Sequence, residues 1–169
     1  MNEQEIIDEI NKTKEYLSNL EKILKECECV RWKPRGGDRY YYISEGCTVI
    51  ESRTCAGCIV DEHYRGYNIF KTEEEAKQEA EKILVRRQLE DIARRLNKGQ
   101  KINWNNNNQL KYCIGFDFPL DIISIGAIYR KLQGSVYCLS DEFKDVAIQE
   151  IGKERLKKYF KGEYNEKIR

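Results

Sequence analysis

The sequence has a single histidine, His63, and no apolar run approaching the roughly 18 to 20 residues that span a bilayer. It also lacks a glycine-rich phosphate loop, a paired-histidine metalloprotease helix and an acidic metal-binding loop. These absences exclude the commonest nucleotide and metal chemistries. Residues 1–5 are acidic where a secretory signal is basic, so no export signal is expected. A large excess of either charge is missing too. The formal net charge is +1, where a strong nucleic-acid binder carries a clear basic surplus.

What is present is a 169-residue chain, 40% apolar and 35% charged, long enough to bury a core. Its seven cysteines form no regular framework, and reduced thiols in a cytoplasm are the simplest expectation. Charge is uneven along the chain. Residues 1–29 carry four lysines against eight acidic residues, a net −4, while residues 30–100 carry +2 and residues 101–169 carry +3.

Residues 2–28 read as one amphipathic helix. Ile6, Ile10, Thr13, Leu17, Leu20, Leu24 and Cys27 alternate four- and three-residue steps, the period of a coiled-coil seam. The stripe either packs on the chain's own body or forms a homodimer with a second copy. Arg39 to Ile43 reads as a strand, Cys47 to Thr54 as a second and Tyr67 to Phe70 as a third. Thr72 with Glu75 forms a capping box that opens a helix reaching Leu96, closed by Asn97-Lys98-Gly99. Its second apolar stripe, Val85, Leu89, Ile92 and Leu96, is the expected partner of the N-terminal helix.

The second half repeats this order. Trp32 precedes Tyr41-Tyr42-Ile43 much as Trp104 precedes Tyr112-Cys113-Ile114. Gly66 stands six residues before Thr72, and Gly134 six before Ser140. Ile83 and Ile151 each follow those caps by eleven. The ordered set reads as an internal duplication. The expected fold is α+β: an N-terminal helix (1–30), then two tandem ββ(β)α units with antiparallel sheets (31–99 and 100–169) that share a core, the second ending in a short basic helix.

Four residue groups carry candidate chemistry. Cys27, Cys29, Cys55 and Cys58 could supply four thiolates to a structural zinc, with His63 as a substitute ligand. The one-residue spacing of the first pair argues against this, and no cofactor is expected. Cys47, Cys113 and Cys138 sit in strand-like contexts, as small buried hydrophobes. His63, beside Asp61 and Glu62, reads as a surface loop residue; as a base for Cys55 or Cys58 it has no orienting third group. Asp117 and Asp121, flanking Pro119, read as turn formers. No catalytic residue is expected, and the chain reads as a non-enzyme.

Binding surfaces are the alternative. Tyr40 and Tyr42 share a strand face opposite to Tyr41, with Arg31, Lys33, Arg35 and Arg39 near in sequence. That face either stacks bases while the cations meet phosphates, or packs against helices with its hydroxyls at the rim. Packing is the favoured reading. Asp8, Glu9 and Glu15 on the acidic helix could imitate nucleic-acid phosphates.

Trp32-Lys33-Pro34, Gly37, Tyr40 to Ile43, Tyr64, Gly66-Tyr67-Asn68, Phe70 to Ala76 and Glu81-Lys82 resemble a family of uncharacterised proteins carried by phages and prophages of low-GC Gram-positive bacteria. In the second half the likeness rests on Trp104, the polar run 105–109, Lys111-Tyr112 and residues 151–159. It covers most of the chain after residue 30, and departs from the family pattern at Thr54 to Cys58. The resemblance implies an architecture and no catalytic residues. It also implies a phage accessory role, most concretely an anti-CRISPR that binds and blocks a Cas effector, with nucleic acid met through the effector or directly. A single-stranded nucleic-acid module and a scaffolding phage protein are the rival readings.

Overall fold

The computed structural model describes residues 3–28, 31–54 and 60–162 and, on the first helix, the side chains of residues 6, 7 and 9–20. The fold is α+β. It runs α1 (Glu3–Glu28), β1 (Arg39–Ile43), β2 (Val49–Arg53), α2 (Val60–Arg65), α3 (Glu73–Leu96), β3 (Tyr112–Asp117), β4 (Ile122–Ala127), β5 (Tyr137–Cys138), α4 (Phe143–Ile151) and α5 (Lys153–Lys161). Among the described residues no helix is long and apolar enough to cross a membrane.

The aromatic and β-branched residues of β1 favour pleated backbone. The strand pairs antiparallel with β2, Arg39 opposite Arg53 and Ile43 opposite Val49. The second strand starts two residues later than expected, because Cys47 lies at φ 61 and belongs to the turn. The third expected strand is reduced to one bridge, Tyr41 opposite Phe70. Tyr67, at φ 57, cannot join a ladder. Asn68 supplies the missing rung with its side chain: Oδ1 accepts from the Ile43 N–H at 2.8 Å and Nδ2 donates to the Ile43 carbonyl at 2.7 Å.

The second sheet has the order β4-β3-β5. Tyr112 opposes Cys138 there as Tyr41 opposes Phe70 in the first sheet. Phe70 and Cys138 each precede the residue that leads into a helix, Thr72 or Ser140, by two positions.

Thr72 caps α3 with the full reciprocal box: its hydroxyl accepts from the Glu75 N–H, and the Glu75 carboxylate accepts from the Thr72 N–H. Such a cap contributes about 1 kcal/mol. Ser140 does not repeat it. Its hydroxyl accepts from the Glu142 N–H at 3.2 Å, forming a turn, and α4 begins only at Phe143.

α3 serves both sheets. Ala76 and Ala80 are buried in its first half, which contacts β1 and β2. Val85, Leu89, Ile92 and Ala93 in its second half join Ile114, Ile123, Cys138, Phe143, Ala147, Ile151 and Leu156 in one core. This overturns the expected pairing with the N-terminal helix: the stripe is already covered by β3, β4, β5, α4 and α5. Each such aliphatic side chain contributes roughly 1.5–3 kcal/mol through burial, and the sequence boundary at 99/100 falls beyond a helix that both halves share. α5 is amphipathic as expected, with Leu156 fully buried and Tyr159 and Phe160 packed against the same core.

Lys111 is 1% exposed, an exceptional position for a cation. Its ammonium donates to the carbonyls of Asn106 (2.7 Å) and Gln109 (2.8 Å) and lies 5.7 Å from the Trp104 ring centre. The asparagine-rich run thus curls around a buried amine.

Candidate anion-recognition surface

The residues leading into β1 form an open cleft of about 670 Å³ lined by Arg31, Trp32, Lys33, Pro34, Arg35, Asp38 and Tyr64, three cations against one carboxylate. α2 shapes it. Val60 anchors this one-and-a-half-turn helix in a small core with Tyr40 and Ile69. Tyr64 then faces the cleft, and the reversal at Tyr67 carries a second ring to the same cation. The Arg31 guanidinium lies 4.1 Å from the Tyr64 ring centre and 4.2 Å from that of Tyr67. Both distances fall well inside cation–π range. Its Nη2 is buried and has no hydrogen-bond partner among the described residues.

Tyr67 is 78% exposed and holds a left-handed backbone, a conformation costing a non-glycine residue roughly 1–2 kcal/mol. Gly66 before it has a steric reason, since a Cβ there would stand 3.3 Å from the Glu62 carbonyl.

The other cations differ in how far they are committed. Lys33 pairs with Asp61 at 2.9 Å and lies 5.0 Å from the Tyr64 ring centre. The Lys33 ammonium, by hydrogen bond and charge, holds the Asp61 carboxyl below its usual range. The Arg35 backbone closes a turn, donating to Asp38 Oδ2 at 2.8 Å and accepting from the Asp38 N–H and the Thr54 hydroxyl. Arg39 lies on the strand face opposite to Tyr40 and meets Glu51 at 3.6 Å, so the structure does not bring it to the cleft.

The tyrosine face of β1 is occupied. Tyr40 is 2% exposed. Tyr42 is half-buried, with the His63 ring stacked on it at 4.1 Å and 22°. His63 Nδ1 lies 3.4 Å from the Tyr40 hydroxyl. His63 is therefore a packed member of α2 and not a surface loop residue; the Tyr40 ring is buried and one face of the Tyr42 ring is taken by His63. The sequence signal for the two rings that flank Arg31, of which Tyr64 lines the cleft, is their three-residue spacing.

On α1, Glu9 and Glu15 are exposed six residues apart, on different sides of the helix. The side chain of Asp8 lies outside the described residues, as do those of Cys27, Cys29, Cys55 and Cys58. Among the described residues no three His, Cys, Asp or Glu side chains gather to hold a metal. Cys138 is fully buried, whereas Cys113 is half-buried; burial pushes both thiols above their ordinary range. Cys47 is half-buried in its turn, with Arg87 Nη1 3.3 Å from its sulfur.

No family model matches the chain, and no match was found among curated proteins or solved structures.

Proposed function

We propose that this chain is a binding protein without a reaction of its own, and that its partner is engaged at the Arg31 cleft. The observation that carries this reading is the guanidinium held between Tyr64 and Tyr67 with a buried Nη2 that has no hydrogen-bond partner among the described residues. A buried unpaired donor costs about 1–3 kcal/mol, which a carboxylate or phosphate oxygen would relieve. In concrete form the protein is a phage-made inhibitor that blocks an effector of bacterial defence, foremost a Cas effector. The sequence resemblance to phage and prophage proteins supports that part, and the matching strand order of the two sheets supports a duplicated unit.

The test is affinity capture of the tagged chain from bacterial lysate that expresses defence systems, with nuclease treatment. The wild type should retain an effector after nuclease and inhibit it in a cleavage assay. Arg31→Ala should weaken that association at least tenfold, given roughly 1.5–3 kcal/mol for a hydrogen bond between charged groups. Failure to retain any effector, or equal retention by Arg31→Ala, defeats the reading.

A second reading, direct binding of single-stranded nucleic acid, is favoured by the exposed Tyr67 ring beside Arg31. It requires affinity for labelled oligonucleotides that falls steeply with salt and is lost in Tyr67→Ala.

A further inference from the structure

The described side chains of α1 are all exposed. Ile6, Ile10, Leu17 and Leu20 stand 43%, 47%, 54% and 39% open to solvent, along one stripe of a 26-residue helix. An apolar strip that runs about 21 Å along the helix, from Ile6 to Leu20, is a surface that proteins cover. The chain's own candidate cover, the second stripe of α3, is enclosed in the core around Phe143 and Ile151.

Two observations identify the occupant. The single polar member of the described stripe is Thr13, and its hydroxyl donates to the Glu9 carbonyl at 2.8 Å. Its donor is already satisfied, so it can enter an apolar seam at little cost. The flanking charges are complementary as well. With Ile10 and Leu17 at heptad position a, and Ile6, Thr13 and Leu20 at d, Glu9 falls at g and Lys14 at e. In a parallel, in-register pair, each g residue faces the e residue five positions further on in the other helix. Glu9 then meets Lys14 of the second copy, and the contact occurs twice. An antiparallel pair sets e against e and g against g, and the match is lost. Ile7 at e and Tyr16 at g, 43% and 66% exposed, border the seam and widen the strip that a second helix would bury.

We infer that α1 pairs with α1 of a second copy as a parallel, in-register coiled coil, its register set by the reciprocal Glu9–Lys14 contacts. This goes beyond the cleft reading and does not depend on it.

The test is sedimentation equilibrium of the full chain from low micromolar to several hundred micromolar concentration. The wild type should show a monomer–dimer equilibrium. Glu9→Lys alone and Lys14→Glu alone should each weaken it by roughly tenfold, since two attractive contacts become repulsive. An equimolar mixture of the two variants should recover wild-type affinity, because in the mixed pair both contacts are attractive again, one with its signs reversed and one as in the wild type. Unchanged urea midpoints at low concentration show that both variants remain folded. A wild type that stays monomeric, variants that associate as well as it does, or a mixture no tighter than either variant alone would each overturn the inference.

Discussion

Asn68 takes the place of a strand residue beside Ile43, its amide donating to the Ile43 carbonyl at 2.7 Å and accepting from the Ile43 N–H at 2.8 Å. One side chain thereby completes the ladder that the reversal at Tyr67 interrupts. Asn68→Ala removes both bonds and leaves two half-buried backbone groups unpaired, so it should destabilise the protein by about 1–3 kcal/mol. Asn68→Asp keeps an acceptor but sets a carboxylate against the Ile43 carbonyl, and should fare no better. Urea denaturation of the two variants measures both effects; a loss below a few tenths of a kcal/mol would show that the rung is dispensable.

Tyr67 separates binding from stability. Tyr67→Gly removes a ring from Arg31, and it also releases the strain of a tyrosine at φ 57. Stability should hold or rise by up to about 1 kcal/mol, because glycine adopts that backbone freely. Partner binding should fall. Thermal melts paired with a binding assay read the two trends, and a variant that loses both would make the ring a packing element.

Asp121 gives the fold an acid-sensitive tie between the β3–β4 turn and α5. Hydrogen bonds and charge from Lys157 and Lys161, at 2.5 and 2.7 Å, hold its carboxyl down to about 2 from 3.8. The folded pKa is depressed, so the stabilisation is present above the unfolded value and is lost as pH falls from about 4 through 2. Asp121→Asn should flatten that part of the stability-versus-pH curve. Asparagine tolerates the left-handed backbone of this position, φ 51, so the substitution isolates the charge. An unchanged curve would place the acid sensitivity elsewhere.

Lys111 holds the 101–109 loop from inside. Lys111→Met keeps the apolar stem but withdraws the donor from Asn106 and Gln109. Amide exchange at residues 103–109 should accelerate well before global stability is lost. Protection that matches wild type would mean the side-chain bonds of Gln109, to the Asn103 N–H and the Lys101 carbonyl, suffice alone.

The parts of this fold legible in the sequence are those fixed over a few residues. Thr72 and Glu75 lie one helical turn apart, and their box forms wherever the rest of the chain goes. In α5 the stripe of Leu156, Tyr159 and Phe160 shows its buried side by the same kind of local rule. What sequence reading missed depends on distant partners. Val85, Leu89 and Ile92 display the period of a helix–helix seam, but the same spacing serves a helix packed on a sheet and two short helices. Asn68 resembles any turn asparagine until Ile43 is placed beside it. At the cleft, Arg31, Lys33 and Arg35 were evident as cations. The packing of Tyr40 and Tyr42 is the favoured sequence reading, but nothing local announces that His63 of α2 is what meets them.

Because one helix is common to two sheets, the halves of the molecule share a single fate. A chain cut after Gly99 would expose Val85, Leu89, Ile92 and Ala93 at once, and the remainder would lose the wall against which Phe143 and Leu156 close. Melting should therefore be one cooperative event, with the first sheet reporting damage done in the second.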